Sequence, residues 1–179
     1  MRLALGLLLA LIPVFALNLK PATYRVSWGE VTYRARTVLS AWTGRNKAIS
    51  GAVTLSQAGV LGGKLCVDLS AWDSGNALRD AHTRKMFRVE RYPEACFVPR
   101  SLALLRTGRF TVVGDLFLNS QKGPWTLSGT LQEDSGKVSL SLEGYLSLRK
   151  WRLKPPRLLG LEVEDRVDVE IDLELEEIH

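Results

Sequence analysis

Cysteine, histidine and methionine are scarce in this chain, with two of each in 179 residues. Cys66 and Cys96, with His82 and His179, form no cluster of ligand-bearing residues, so a zinc site or other resident metal centre is not expected. Long apolar runs are equally few. Beyond Leu17 no stretch approaches the roughly 18 apolar residues that a membrane-crossing helix needs, which excludes a multi-span helical membrane protein. The sequence also lacks a G-x-S-x-G elbow, a phosphate-binding P-loop and a G-x-G-x-x-G turn leading into a helix. Its acids concentrate on one C-terminal segment rather than in pairs suited to general acid–base work. His82 stands two positions after Asp80, and residues i and i+2 on a helix do not face each other, so they form no dyad. The expectation is a protein that is not an enzyme and needs no cofactor.

What the chain does have begins at its N-terminus. Of the first 17 residues 14 are apolar, preceded by Arg2 and ending in Val14-Phe15-Ala16. This is the pattern of a secretory signal peptide over residues 1–16, cleaved after Ala16. An uncleaved anchor helix is the alternative, but the run is short for a span and Pro13 interrupts its end. Export to the periplasm or outside the cell is the resulting expectation.

Past residue 22 the apolar residues recur with period two, the signature of half-buried strands. Val167, Val169, Ile171, Leu173 and Leu175 alternate with five acids, Asp168 to Glu176. Val138, Leu140, Leu142 and Leu146 share a parity, as do Trp125, Leu127 and Leu131, and Phe110, Val112, Leu116 and Leu118. Leu65, Val67 and Leu69 alternate with polar residues, as do Ile49, Val53 and Leu55. Val31, Tyr33 and Ala35 continue a series begun by Tyr24, Val26 and Trp28. Turn residues such as Gln121-Lys-Gly-Pro124 and Glu133-Asp-Ser-Gly136 separate the runs. Eight or nine strands with short connections describe an antiparallel meander, closing as an up-and-down barrel or a sandwich. Two stretches depart from the pattern. Residues 76–87 read as a short helix capped by Ser74 or Asn76 and stopped by Tyr92-Pro93. Lys154-Pro155-Pro156-Arg157 is irregular, because consecutive prolines block strand pairing.

Cys66 and Cys96 both fall on the outward parity of consecutive strands, so they form either a cross-strand disulfide or two half-buried thiols. The net charge of +5 is a remainder: nine of the 19 acids lie within residues 162–177, against one arginine. The basic excess elsewhere is scattered, which with export argues against nucleic acid and favours an anionic lipid headgroup or a pyrophosphate head as partner. Glycines at 51, 114, 129 and 144 on the inward faces allow bending or leave room beside a ligand. From the pattern alone the interior is either packed or holds one apolar ligand.

The element Ser74-Gly75-Asn76-Ala-Leu-Arg79-Asp80-Ala-His82-Thr-Arg84, followed by Tyr92-Pro93-Glu-Ala-Cys96-Phe97, resembles the S-G-N-x-x-R-D-x-H-x-R and Y-P-x-x-x-F elements of the YceI-like lipid/polyisoprenoid-binding family. Val113-Gly-Asp-Leu116 and the stretch from Trp151 to Val167 look like its later strands, so the likeness covers residues 23–177. Thr83 and Cys96 depart from the usual pattern. The resemblance implies an all-β, lipocalin-like antiparallel barrel of about eight strands with a short helix between strands, enclosing a tunnel for a long-chain isoprenoid lipid, polyprenyl or quinone-type, for storage or transport. The inward parity then nominates Tyr33, Val53, Leu55, Val67, Leu69, Phe97, Val112, Leu116, Leu127, Leu140, Leu142 and Leu146 as its lining. Helix 74–87 would close one end, and Arg79, Asp80, His82 and Arg84 are candidates either for headgroup contact or for a structural role. The competing reading is a structural or stress-related envelope protein with a packed barrel. Peripheral membrane contact and a homodimer are both open.

Overall fold

The computed structural model describes residues 21–56, 59–104 and 108–179; the leader over residues 1–16 lies outside the described residues. The chain runs β1 (Ala22–Arg36), β2 (Ala41–Asn46), β3 (Ile49–Ser56), β4 (Gly59–Asp68), α1 (Ala77–Phe87), β5 (Glu94–Leu104), β6 (Arg109–Leu118), β7 (Gln121–Asp134), β8 (Lys137–Ser147), β9 (Arg157–Leu158), β10 (Leu161–Glu162) and β11 (Arg166–Glu177). Consecutive strands pair antiparallel from β3 to β8, β8 pairs with β11, and β11 returns to β1. The sheet is thereby an eight-stranded antiparallel barrel with β2 as an extra strand. Long β1 makes closure work by changing partner. Ala22–Arg25 pair with β3, and Val31–Arg36 pair with β2.

The alternation read from the sequence maps onto the two faces of this sheet. In β11, residues Val167, Val169, Ile171, Leu173 and Leu175 are buried while the acids face out. The outward acids are not matched by bases throughout. Arg34 faces Asp168, and Lys137 and Arg25 face Glu176, but Glu30 stands opposite Asp172 and Glu143 opposite Glu170. Like charges in register oppose pairing by a few tenths of a kcal/mol each, so the strand is held by its apolar face.

One parity expectation is corrected. Tyr24 and Val26 point inward, but Trp28 is 44% exposed, and Gly29, Val31 and Tyr33 continue the buried face. The register between β1 and β11 shifts between Val26 and Trp28, a bulge that inserts one residue and reverses the parity after it. Of the four glycines noted for bending or room, two have their space filled by protein side chains. A Cβ on Gly114 would lie 2.6 Å from the Phe97 ring, and one on Gly144 2.7 Å from Leu127. At Gly51 and Gly129 the nearest atoms belong to the backbone of the neighbouring strand. On β2, Gly44 likewise makes way for the Tyr33 ring.

α1 forms where the apolar alternation lapses. Asn76 caps it, its side-chain oxygen accepting the Arg79 N–H at 2.9 Å. Arg88 in the left-handed region ends it, with the Arg88 N–H donating to the Lys85 carbonyl. Among the described residues no helix is long and apolar enough to cross a membrane.

Candidate functional site

Strand direction gives the barrel two unlike ends. One gathers the end of β1, the β6–β7 turn, α1 and the crossing segment 148–165; the other gathers the β7–β8 turn and the start of β1. Between them lies a cavity of about 140 Å³ whose 27 lining residues are all apolar or aromatic. A space near 10–15 Å³ suffices for one water, yet apolar cavities without hydrogen-bond partners stay dry. Such walls suit a hydrocarbon.

Of the twelve residues nominated from parity, Val53, Leu55, Val67, Leu69, Phe97, Val112, Leu116, Leu127, Leu140, Leu142 and Leu146 line this cavity. Tyr33 does not. It is buried, but its ring sits over Gly44 and meets the Trp72 ring edge-on at 5.1 Å, outside the cavity wall. Parity also indicated Phe110, Leu118, Trp125 and Leu131, which are lining residues. Parity did not name Val60, Ala95, Pro99 and Leu102 on the strands, nor Trp72 and Phe87, which come from the connection and from α1. Their rings stack at 6.4 Å and cap the α1 end of the cavity. No strand rule reaches a loop residue; the only signal was a large aromatic at each edge of the helical excursion. Trp72 Nε1 and Tyr33 Oη are buried with no hydrogen-bond partner among the described residues. Unpaired buried polar groups cost about 1–3 kcal/mol each, and of these two residues Trp72 alone belongs to the cavity wall.

The motif residues of α1 divide between two tasks. Asp80 is 7% exposed, and its carboxylate accepts the Ser74 N–H at 3.0 Å and the Ser74 hydroxyl at 2.6 Å. Arg79 donates through Nε to the Ser74 hydroxyl and through Nη2 to the Ser74 carbonyl, both at 2.9 Å, with its guanidinium 5.2 Å from the Trp42 ring. The two residues clamp the 70–76 loop onto the helix without pairing with each other. That clamp sets where Trp72 lies. The Arg84 carbonyl accepts the Val89 N–H at the helix end. His82 lies on the outer side of α1, facing a groove rather than the cavity.

Cys66 and Cys96 stand directly opposite each other in β4 and β5 and are joined by a disulfide, with Cα atoms 4.1 Å apart. Both point away from the cavity, so the bond fastens the wall beside the α1 excursion. Glu94 lies close to them, but with the sulfurs bonded to each other no thiolate is left to hold a metal.

The segment 148–165 is pinned at its far end by Asp165. Its carboxylate accepts the Ser147 hydroxyl at 2.6 Å and the Arg149 N–H at 2.8 Å. Burial pushes this carboxyl up, but those bonds and the Arg149 charge outweigh it and hold it below its ordinary value. A group with a depressed folded-state pKa stabilises the fold above the unfolded value and loses that contribution as pH falls through the folded one. Asp165→Asn is therefore expected to cost about 1 kcal/mol at neutral pH. Urea midpoints of variant and parent should converge as pH falls from about 5 towards about 2. A gap that stays constant over that range would contradict the assignment.

Comparison with known proteins agrees with this geometry. A family model described as the YceI-like domain matches residues 18–175. Among solved structures, BcnA of Burkholderia cenocepacia superposes with a TM-score of 0.72 at 16% identity, covering 82% of this chain and 95% of that one. A polyisoprenoid binding domain from Saccharophagus degradans, implicated in plant cell wall breakdown, gives 0.70 at 17% identity, covering 89% of this chain and 100% of that one. A Campylobacter jejuni YceI protein gives 0.65 at 16% identity, with 76% and 85% covered. At these identities the structures establish a common fold. No curated protein sequence matches the chain.

Proposed function

The chain belongs to the YceI-like family, and from that premise we propose that it is a non-enzymatic binder that holds a long-chain isoprenoid lipid, polyprenyl or quinone-type, inside its barrel. The observation that carries the proposal is the cavity whose lining contains no charged residue. Each methylene moved from water into such a space contributes about 0.8 kcal/mol, so affinity grows with tail length and needs little from the head. The unpartnered Trp72 indole N–H at the α1 end favours a ligand with a neutral acceptor oxygen near its polar terminus, as a quinone has. A Saccharophagus degradans structure of the same fold is described as polyisoprenoid-binding, which supports the same ligand class here. We further infer export through the leader at residues 1–16 and a role in storage or transport in the periplasm or outside the cell.

Organic extraction of the purified protein followed by mass spectrometry tests this. The expected result is a long-chain isoprenoid released from the parent protein. Leu116→Trp should reduce its yield by at least tenfold, equivalent to about 1.4 kcal/mol, at an overpacking cost of about 1–3 kcal/mol in stability. Thr126→Trp, on the outer face of β7, should leave the yield unchanged. Protein that stays lipid-free when purified from, and then incubated with, lipid-rich membranes would overturn the proposal and leave the packed-barrel reading.

A further inference from the structure

Outside the barrel, on the far side of α1 from the cavity, lies a groove of about 1020 Å³. The last turns of α1 supply His82, Lys85, Met86 and Arg88 to it. The β6–β7 turn supplies Asn119 and Gln121, and the crossing segment supplies Arg149, Arg152, Lys154, Pro155, Pro156, Arg157 and Glu162. Six cationic side chains thus face one carboxylate, Glu162, which Arg149 already engages at 2.6 Å. Among the described residues Lys85, Arg88, Arg152, Lys154 and Arg157 have no carboxylate partner.

The groove is built rather than incidental. Asn119 is 3% exposed and donates to the carbonyls of Trp151 and Arg152 at 3.0 and 3.2 Å, while its own carbonyl accepts Arg88 Nη2 at 2.9 Å. One buried amide therefore ties all three walls together and fixes the Arg88 fork, which also lies 5.0 Å from the Tyr92 ring. Pro155 and Pro156 stiffen the wall between Lys154 and Arg157. Cations at the C-terminal end of α1 have a local reason, the negative end of the helix dipole. Arg152, Lys154 and Arg157 lie at no α-helix end and lack that reason. Holding them together against mutual repulsion costs stability, and the chain's acids sit mostly on β11 instead.

From this we infer that the groove binds a multiply charged phosphate group, either a phosphate or a diphosphate. Guanidinium forks match phosphate oxygens two at a time, and a singly charged carboxylate would leave most of the cluster uncompensated. The inference is independent of what fills the cavity. The group is carried either by a lipid headgroup or by a free phosphate compound.

The test is isothermal titration of the purified protein with inorganic diphosphate at low ionic strength. Saturable one-to-one binding that weakens with added salt is expected. The triple variant Arg152→Gln, Lys154→Gln, Arg157→Gln should bind at least tenfold more weakly with an unchanged melting temperature. Arg157→Gln alone should give a several-fold loss, which keeps the test intact if the triple variant folds poorly. The charge-matched variant Arg34→Gln, Lys64→Gln, Arg109→Gln, on the barrel walls, should stay within twofold of the parent. Absence of saturable binding, or equal losses in both triple variants, overturns the inference, because general charge attraction would then account for everything. Flotation with vesicles of phosphatidylcholine containing phosphatidic acid, whose headgroup is a phosphomonoester, separates the sources. Binding that diphosphate displaces identifies a headgroup, and diphosphate binding without flotation identifies a free phosphate compound. Leu116→Trp should bind diphosphate as the parent does, so failure of the lipid proposal does not touch this one.

Discussion

Replacing Trp151 by alanine is expected to cost about 3–5 kcal/mol of folding stability, against a total of about 5–15 kcal/mol for a domain of ordinary stability. Trp151 ends a single 3-10 turn, Arg149–Trp151, in a segment with little regular structure, yet it is 2% exposed. Its ring lies over Gly123 of β7, where a Cβ would come within 3.0 Å, so glycine is what admits the indole. Its carbonyl accepts the Asn119 amide, and Leu148 and Leu153 on either side are equally buried. Alanine leaves a void that the strands cannot close, since Asn119 ties the β6–β7 turn to the Trp151 and Arg152 carbonyls and Pro155-Pro156 restrict the backbone that follows. Urea unfolding followed by far-ultraviolet circular dichroism measures the loss. Trp151→Phe, which keeps most of the ring, should lose less than half as much. Equal losses from the two variants would mean that the plug works through its backbone bonds and not through the ring.

That plug could not be recognised from the sequence, and the reason is physical. Strands announce themselves because every second residue is apolar, and the parity of β3 to β8 and β11 could be read almost residue by residue. Eleven of the twelve residues nominated from that alternation line the cavity. The rule has no purchase where the chain is irregular, which is where Trp72 and Trp151 sit. It also fails at one inserted residue. The bulge at Ser27 reverses the face of everything after it, and Trp28 moves outside while Tyr33 stays buried beside a loop tryptophan. The chemistry of the α1 motif was similarly half legible. Asn76 and Asp80 are recognisable as helix-start residues, but that Arg79 and Asp80 both grip Ser74 depends on a loop path no spacing encodes. The phosphate-binding groove was the least visible feature. Its cations come from two segments, Lys85–Arg88 and Arg149–Arg157, about 60 residues apart in sequence, and dispersed along the chain they read as a scattered excess.

Reduction of the Cys66–Cys96 disulfide is expected to cost about 3–4 kcal/mol. The bond closes a loop with a sequence separation of 30, and the chain entropy it removes from the unfolded state sets that scale. The enclosed residues include α1, the Arg79–Asp80 clamp and Trp72, a stretch whose tie to the sheet is the single bridge between Asp73 and Arg45 of β2. Among the described residues four pairs are in register between β4 and β5, Leu65 with Phe97 to Asp68 with Glu94, and the cysteines are the second of them. The disulfide therefore fastens the shortest seam among the strands β4 to β8, next to the element that caps the cavity. Thermal melts with and without a reductant measure the effect. The melting temperature of the parent should fall by several degrees on reduction, and Cys66→Ala/Cys96→Ala should melt at the reduced value in both conditions. Because the pair is stable only where thiols are oxidised, the loss has a bearing on location. A protein that gave up this much stability in a reducing compartment would be poorly suited to it, whereas the export proposed above would keep the seam closed. A parent that melts identically with and without reductant would remove both the energetic claim and this support for export.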